Sequence, residues 1–280
     1  MKYSLLIFSG LIFFNLFVWY WVIAGAPDKA LNLYFLKAGE GDSELAVLPG
    51  GVKVLIDGGP GSETVSSLDK VMPPTNRYID MVILSHPQLD HFGGLIQIFQ
   101  RYKVGVFVWN GESANDDTWK NLVGLIKNNG IAAVVVSKGD KISYMDSSFE
   151  ILAPSVGLVS SDPNDDSVIT RLSSGGISTL FTGDATPKLE QYLVSGGDVK
   201  SDILKVSHHG SKTSSVSSFL SAVLPKIAVV EVGKNTYGHP TPDALGRLAN
   251  IGASLYRTDD NGTVHIRAKD GLLTVATSSN

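Results

Sequence analysis

After an uncharged N-terminal stretch, the chain alternates between two rhythms of apolar residues. Short runs rich in β-branched and aromatic residues, bounded by Gly, Asp or Asn, predict strands. Within residues 30–59, LNLYFLKAGEGDSELAVL alternates, breaks at Gly39 and Gly41, and resumes; GGVKVLIDGG is a turn, a short strand and a stop at Asp57 before two glycines. Further strands are predicted in YIDMVILS, KVGVFVWN, IAAVVVS, SFEILAP, SVITRLSSGG, STLFTGDA, SDILKVSHHG, KIAVVEVG, SLYRT and GTVHIRA. The second rhythm has helical spacing. It predicts helices over 63–71, in GGLIQIFQRY, in DDTWKNLVGLIKNNG with acids at its start and Gly130 at its stop, and in TPKLEQYLVSGG, VSSFLSAVLP and TPDALGRLANIG. Asp259-Asp260-Asn261-Gly262 reads as a turn, and the last half-dozen residues as a frayed end. Strands cluster in two halves with helices after some of them and no low-complexity linker. That predicts one mixed α/β domain over 28–280, strands stacked in the middle and helices outside.

The stretch from Ser4 to Pro27 follows neither rhythm. It has no charged residue and is long enough to cross a bilayer as a helix. Trp19, Tyr20 and Trp21 sit near its C-terminal end, as interfacial residues do. Residues 1–27 are therefore expected to form a single-pass membrane anchor, with Lys2 on the cytoplasmic side and the remainder extracytoplasmic. A signal peptide cleaved near Ala26, which would leave a secreted protein, and a buried core helix are the alternatives.

Composition narrows the chemistry. The chain has no cysteine, which rules out disulfides and thiolate metal ligands. A formal net charge of −4 does not describe a strongly basic nucleic-acid binder, although local patches remain open. From Lys200 to Arg257, Lys200, Lys205, Lys212, Lys226, Lys234, Arg247 and Arg257 outnumber Asp202, Glu231 and Asp243. A positive rim there would favour an anionic substrate such as a phosphodiester.

The candidate chemistry lies at strand ends. Asp57 ends VLID. His86, Asp90 and His91 follow MVIL in SHPQLDHFGG. Asp184 ends STLFTGD, and His208 and His209 end ILKVSHHG. Separate strands that deliver ionisable groups at one end build a shared site at the rim of a sheet. Singly, each has a plain reading: His265 and His239 as polar residues by a turn, Asp57 as a turn former, NDDS at 164–167 as an Asx turn. Together and in this order they point to a metal held by N and O ligands.

Order and spacing resemble the metallo-β-lactamase fold. Within it they are similar to the extracytoplasmic hydrolase-like domain of the ComEC competence channel and its stand-alone relatives. The resemblance runs from Asn32 to Ile266. YFLKAGEGD matches the family's opening F-L-D-V-G-Q-G-D, with Lys37 at the place of an aspartate. SHPQLDHFGG matches S-H-x-H-x-D-H-x-G-G except at Gln88. NDDSVITRL, LFTGDA, LKVSHHGS, GKNTYGHPTPDAL and YRTDDNGTV match the later motifs. The resemblance implies a four-layer αββα sandwich, here preceded by one transmembrane helix, with a metal site at one edge. One metal position would use His86, Gln88 and a bridging Asp184; the other Asp90, His91, Asp184 and His209. Asp90 and His208 are the catalytic candidates, with His208 in contact with substrate or transferring a proton. Asp57, Asn164, Ser211, Lys234 and His239 are expected around the ligands or the substrate. Gln88, a neutral amide where an imidazole is usual, weakens the first position. One tight zinc or manganese ion is expected, with a weaker second.

The implied function is a membrane-anchored, metal-dependent phosphodiesterase or nuclease acting on single-stranded DNA or another phosphodiester. A non-catalytic DNA- or polymer-binding module of the same fold and an ester or lactam hydrolase are the alternatives.

Overall fold

A computed structural model describes residues 2–24, 28–155, 160 and 162–279. In chain order its elements are α1 (Lys2–Ala24), β1 (Leu31–Phe35), β2 (Glu44–Val47), β3 (Lys53–Ile56), α2 (Ser62–Val71), β4 (Tyr78–Ile83), α3 (Leu89–Phe92), α4 (Leu95–Arg101), β5 (Lys103–Trp109), α5 (Asp117–Asn128), β6 (Ala132–Val135), β7 (Lys141–Tyr144) and β8 (Ser147–Ala153). They continue with β9 (Ile169–Ser174), β10 (Ile177–Phe181), α6 (Pro187–Gly196), β11 (Ile203–Lys205), α7 (Ser217–Val223), β12 (Ile227–Val230), α8 (Pro242–Asn250), β13 (Ser254–Arg257), α9 (Thr258–Asn261), β14 (Val264–Lys269) and β15 (Leu272–Thr277). Short 3-10 helices lie at Pro163–Asp166 and Ser207–Gly210.

The strands form two mixed sheets. One runs β15-β14-β1-β2-β3-β4-β5-β6, the other β13-β12-β11-β10-β9-β8-β7. The period of two along each strand divides its side chains between two cores. Leu31, Leu33, Phe35, Val54, Ile56, Met81 and Ile83 face inward from the first sheet and meet Phe149, Leu172, Phe181, Ile203 and Val229 of the second. The alternate residues Leu36, Leu55, Val82 and Leu84 face outward, against Val65, Leu68, Leu95, Ile98 and Trp119 on α2, α4 and α5. On the second sheet Leu180, Leu204 and Ala228 face outward, against Leu189, Phe219, Leu220 and Leu248 on α6, α7 and α8. These three apolar interfaces separate four layers, helix, sheet, sheet and helix. This is the αββα sandwich that the resemblance implies.

Several helices start where side-chain caps dictate. Asp116, Thr186 and Thr241 each accept a backbone N–H of the first turn of α5, α6 and α8, and Pro187 and Pro242 begin the latter two. The C-terminus departs from expectation. Residues 272–277 form β15, paired antiparallel to β14, and the Ser278 and Ser279 amides donate to Thr263 and Asn261. The frayed end is therefore corrected: LLTVAT alternates, and β14 offers it an open edge. The expected turn at Asp259–Asn261 is the one-turn helix α9. β7 adds an edge strand that was not predicted.

The N-terminal helix α1 is exposed along its described side chains, and Tyr3–Trp21 is apolar and long enough to cross a membrane. The cleavage alternative near Ala26, and Pro27 at the end of the expected anchor, lie outside the described residues.

Candidate metal centre

β3 and β4 are parallel neighbours, as are β10, β11 and β12. The loops after them therefore open at the same ends of their strands, and both sheets deliver residues to one edge. Backbone contacts join these loops. The Gly58 amide donates to the His91 carbonyl (2.6 Å) and the Gly94 amide to the Gly59 carbonyl (2.8 Å). A Cβ at Gly94 would overlap the Gly58 carbonyl oxygen, so the second glycine of HFGG is required by close packing. After β11 the chain turns through His208 (φ 49°), His209 (φ 50°) and Gly210 (φ 76°), all left-handed. Two successive non-glycine residues in this region are costly and persist only where the surrounding structure holds them. The turn puts both imidazoles at the rim.

The resulting cluster joins Asp90, His91, Asp184 and His209, whose ligand atoms all lie within 4.8 Å of one another. His91 Nε2 is 3.3 Å from Asp184 Oδ1 and 3.9 Å from Asp90 Oδ2. His209 Nε2 is 3.6 Å from Asp184 Oδ1 and 3.5 Å from Asp90 Oδ2. Both Nε2 atoms and Asp184 Oδ1 are buried without a hydrogen-bond partner. Buried polar atoms of a native protein are normally satisfied, so three such atoms aimed at one point fit a cation. The Nδ1 atoms point away from it and are engaged. His91 Nδ1 lies 2.7 Å from Asp57 Oδ2, and His209 Nδ1 donates to the Glu231 carbonyl at 2.9 Å. This backing orients an imidazole for metal binding.

The electrostatics agree. Burial alone would lower the pKa of His91, but Asp184, Asp57 and Asp90 outweigh it and hold it well above the ordinary histidine value. His209 is raised in the same way, against burial, by Asp184 and Asp42. Asp184 is held well below the ordinary carboxylate value, against burial, by His209 and His91. Asp90, also against burial, is lowered to about 2 by His91 and His209. The negative charge gathered here is what a divalent cation would replace protons to reach.

The other expected residues divide. His86 is buried, with Nδ1 3.0 Å from Ser85 Oγ and Nε2 unpartnered; burial and His91 lower its pKa to about 3, so the ring is neutral. It stands beside His91 with ring centroids 4.2 Å apart, yet it is not a member of the four-residue cluster. Gln88 Nε2 donates to Asn164 Oδ1 at 2.7 Å, which joins the amide of the first position to one of the residues expected around the ligands. Asp57 stands behind His91 and also accepts the Ser85 amide and hydroxyl. His208 is 32% exposed, with Nε2 3.6 Å from Asp184 Oδ2. The His239 ring packs edge-on against His208 at 5.7 Å, and Tyr237, 75% exposed, lies 5.8 Å beyond it. Ser211 Oγ accepts the Ser214 amide within its own turn, and Lys37 is exposed. His265 stacks on Tyr34 and contacts Asn32, on β14 and β1.

The expected positive rim is corrected. Lys200 and Lys226 precede β11 and β12, at the opposite ends of those strands from the site, and Lys226 pairs with Asp202. Lys205 is buried. Arg257 pairs with Asp259, Lys212 with Asp243, and Arg247 is spent on the Lys212, Ser214 and Ser215 carbonyls. Among the described residues Lys234 makes no ion pair. Counting charges along sequence missed this because β11 and β12 place their two ends on opposite sides of the domain.

Four residues of the site had not been singled out. Asp42 lies 3.3 Å from His209 Nδ1 and pairs with Lys205; Glu231 contributes its carbonyl to His209; Glu40 approaches His239 Nδ1 at 3.7 Å. The sequence signals were a lysine inside the apolar run ILKV and the place of Glu40 and Asp42 in the matched motif YFLKAGEGD.

Residues 45–233 match the family model described as Metallo-beta-lactamase superfamily. ComE operon protein 3 of Bacillus subtilis (strain 168) is 31% identical over 196 residues, 69% of this chain and 25% of that protein. Competence protein ComA of Neisseria gonorrhoeae is 33% identical over 197 residues, 67% of this chain and 25% of that protein. The chain thus spans about a quarter of the length of these curated relatives. Among solved structures, CmlA, a diiron beta-hydroxylase from Streptomyces venezuelae, covers 90% of this chain (54% of its own) at TM-score 0.56 and 16% identity. The metallo-beta-lactamase fold protein YhfI from Bacillus subtilis covers 88% of this chain and 100% of its own at TM-score 0.55 and 12% identity. These two likenesses are of fold, and a fold alone does not set the reaction.

Proposed function

The chain belongs to the metallo-beta-lactamase superfamily, and from that membership and the cluster at its rim we propose a membrane-anchored, extracytoplasmic, metal-dependent phosphodiesterase or nuclease. The observation that carries the reading is the convergence of Asp90, His91, Asp184 and His209 with unpartnered Nε2 and carboxylate atoms. The donor set is all N and O, which suits zinc or manganese. A bound ion of this kind makes water nucleophilic near neutral pH and stabilises charge on a phosphoryl oxygen.

The chain's own residues supply the rest. His91 and His209 hold their Nε2 atoms inward because Asp57 and the Glu231 carbonyl engage their Nδ1 atoms. His208, half out of the site and beside Asp184, is placed to carry a proton to or from the substrate. Tyr237 and His239 offer a planar aromatic lip, and Lys234 a nearby positive charge. These suit the base and the backbone of a single-stranded nucleic acid. The relative named as a competence protein supports DNA as the substrate. The apolar helix α1 supports membrane attachment.

A second reading, a binding module that holds DNA or polymer without cutting it, is favoured by one observation. Gln88, a neutral amide where the resemblance implies a metal-ligating imidazole, donates to Asn164. One experiment separates the readings. Purified full chain in detergent is given, in parallel, labelled single-stranded DNA, bis-p-nitrophenyl phosphate, a carboxylic ester and a lactam, with added manganese. Metal-dependent cleavage supports the hydrolase. Retained DNA with no cleavage supports the binding module, and turnover of an ester or lactam alone would replace both.

A further inference from the structure

Beneath the metal centre lies a buried ion pair with no part in the chemistry proposed above. Lys205 and Asp42 are both fully buried, and Lys205 Nζ contacts Asp42 Oδ2 directly. We infer that this pair positions the two histidine ligands, although neither residue faces the metal cluster. The inference rests on the metal reading and deepens it.

The Asp42 carboxylate sits on the Nδ1 side of both rings. Oδ1 is 3.3 Å from His209 Nδ1, and Oδ2 is 3.7 Å from His91 Nδ1. One carboxylate from the β1–β2 loop of the first sheet therefore backs one ligand from each sheet. Asp42 is not a ligand of the same cation, because the Nε2 atoms that converge on Asp184 lie on the far sides of the rings. Lys205 fixes Asp42 from beneath. Its ammonium also donates to the Gly183 carbonyl at 3.1 Å, and the same carbonyl accepts the His208 amide at 3.1 Å. Gly183 precedes the bridging Asp184. A single buried ammonium thus ties together the loop that carries Asp42, the turn that carries Asp184 and the strand that leads to His208 and His209. Behind it lie two further buried acids, Glu44 and Glu231, of which Glu231 also accepts the Ser43 amide at 3.1 Å.

The geometry separates two roles. As a counter-ion, Lys205 serves the fold, since removing one partner of a buried pair leaves an uncompensated charge. As a positioner, the pair serves the metal, because groups behind metal ligands typically govern affinity by about 10- to 100-fold. The two roles respond differently to Asp42→Asn, Lys205→Met and the double variant. The full chain in detergent is tested for melting temperature without metal, and for zinc affinity by competition with a chromophoric chelator. Asp42→Asn leaves the Lys205 ammonium without its direct partner, so it should lose thermal stability, and it should bind zinc about 10- to 100-fold more weakly. Lys205→Met should lose much of its thermal stability. The double variant, with no buried charge left unpaired at this point, should regain much of that stability and stay weak for zinc. Zinc affinity that simply follows melting temperature across the four proteins would overturn the inference in favour of a purely structural pair. So would Asp42→Asn and the double variant binding as tightly as the wild type, or all three variants failing to fold. A wild type that binds no zinc would remove the metal reading along with this inference, whereas tight wild-type binding with unchanged variants removes this inference alone.

Discussion

His208 and His209 are adjacent in sequence and separated in role by one left-handed turn. His209 is 3% exposed with Nε2 in the cluster, and His208 is 32% exposed at the rim. His209→Ala should therefore cost most of the bound metal. His208→Ala should keep the metal and lose turnover, by about 10²–10⁴-fold if it transfers a proton. Metal content and initial rates of the two variants check this; greater metal loss from His208→Ala would reverse the roles. Gln88 carries the second prediction at this scale. A neutral amide is a poor ligand where an imidazole is usual, so Gln88→His should raise stoichiometry from one ion toward two, with faster phosphodiester turnover. A wild type that already holds two ions tightly would contradict it. What the sequence showed and hid follows the same logic. The histidines and Asp184 were legible because each ends an apolar strand, and ionisable groups at strand ends are conspicuous. Asp42 lay within a matched motif, but in GEGD it looked like one more polar loop residue, and nothing local says that Lys205, Glu231 and two imidazoles converge on it. Long-range partners become visible only when two sheets are stacked.

Among the elements, α7 has no capping side chain of its own. Glu190 on α6 substitutes, accepting the Ser215 amide at 2.6 Å and the Val216 amide at 2.9 Å. Burial raises the Glu190 pKa to about 7, against the pull of those amides. A carboxyl whose folded-state pKa is raised keeps a proton that the unfolded chain has already released. Its stability is fully present below the ordinary carboxylate range and is lost as pH rises through about 7. Glu190→Gln stays neutral throughout, so it should flatten part of the fall in melting temperature between about pH 5 and 8, a difference on the order of 2–3 kcal/mol at most. Identical slopes for variant and wild type would count against a protonated Glu190. Element prediction succeeded where periodicity was strong, as in β4, β5 and α5. It missed β7, a four-residue edge strand, and β15, a strand whose pairing depends on the open edge of β14.

At the scale of the whole molecule, two parts differ in what they bury. The sandwich buries its apolar residues between four layers, whereas α1 leaves Leu5, Phe8, Leu11, Phe13, Phe14 and Trp19 exposed. A helix of that composition is apolar and long enough to cross a bilayer. The full chain should stay with membranes through a carbonate wash and keep its N-terminus. A soluble mature protein beginning near residue 27 would show a cleaved leader instead. The rim stands apart from both. Most of the basic residues counted along the sequence are paired or lie at the far end of the strands.

The central claim, a cation held by Asp90, His91, Asp184 and His209, is tested most directly by metal stoichiometry. The full chain and its Asp184→Asn variant are loaded with zinc or manganese, freed of loose ions by dialysis, and analysed for metal per chain. The predicted result is about one retained ion in the wild type and almost none in Asp184→Asn, with both proteins still folded. A wild type that retains no ion, or an Asp184→Asn variant that retains as much as the wild type, would contradict it.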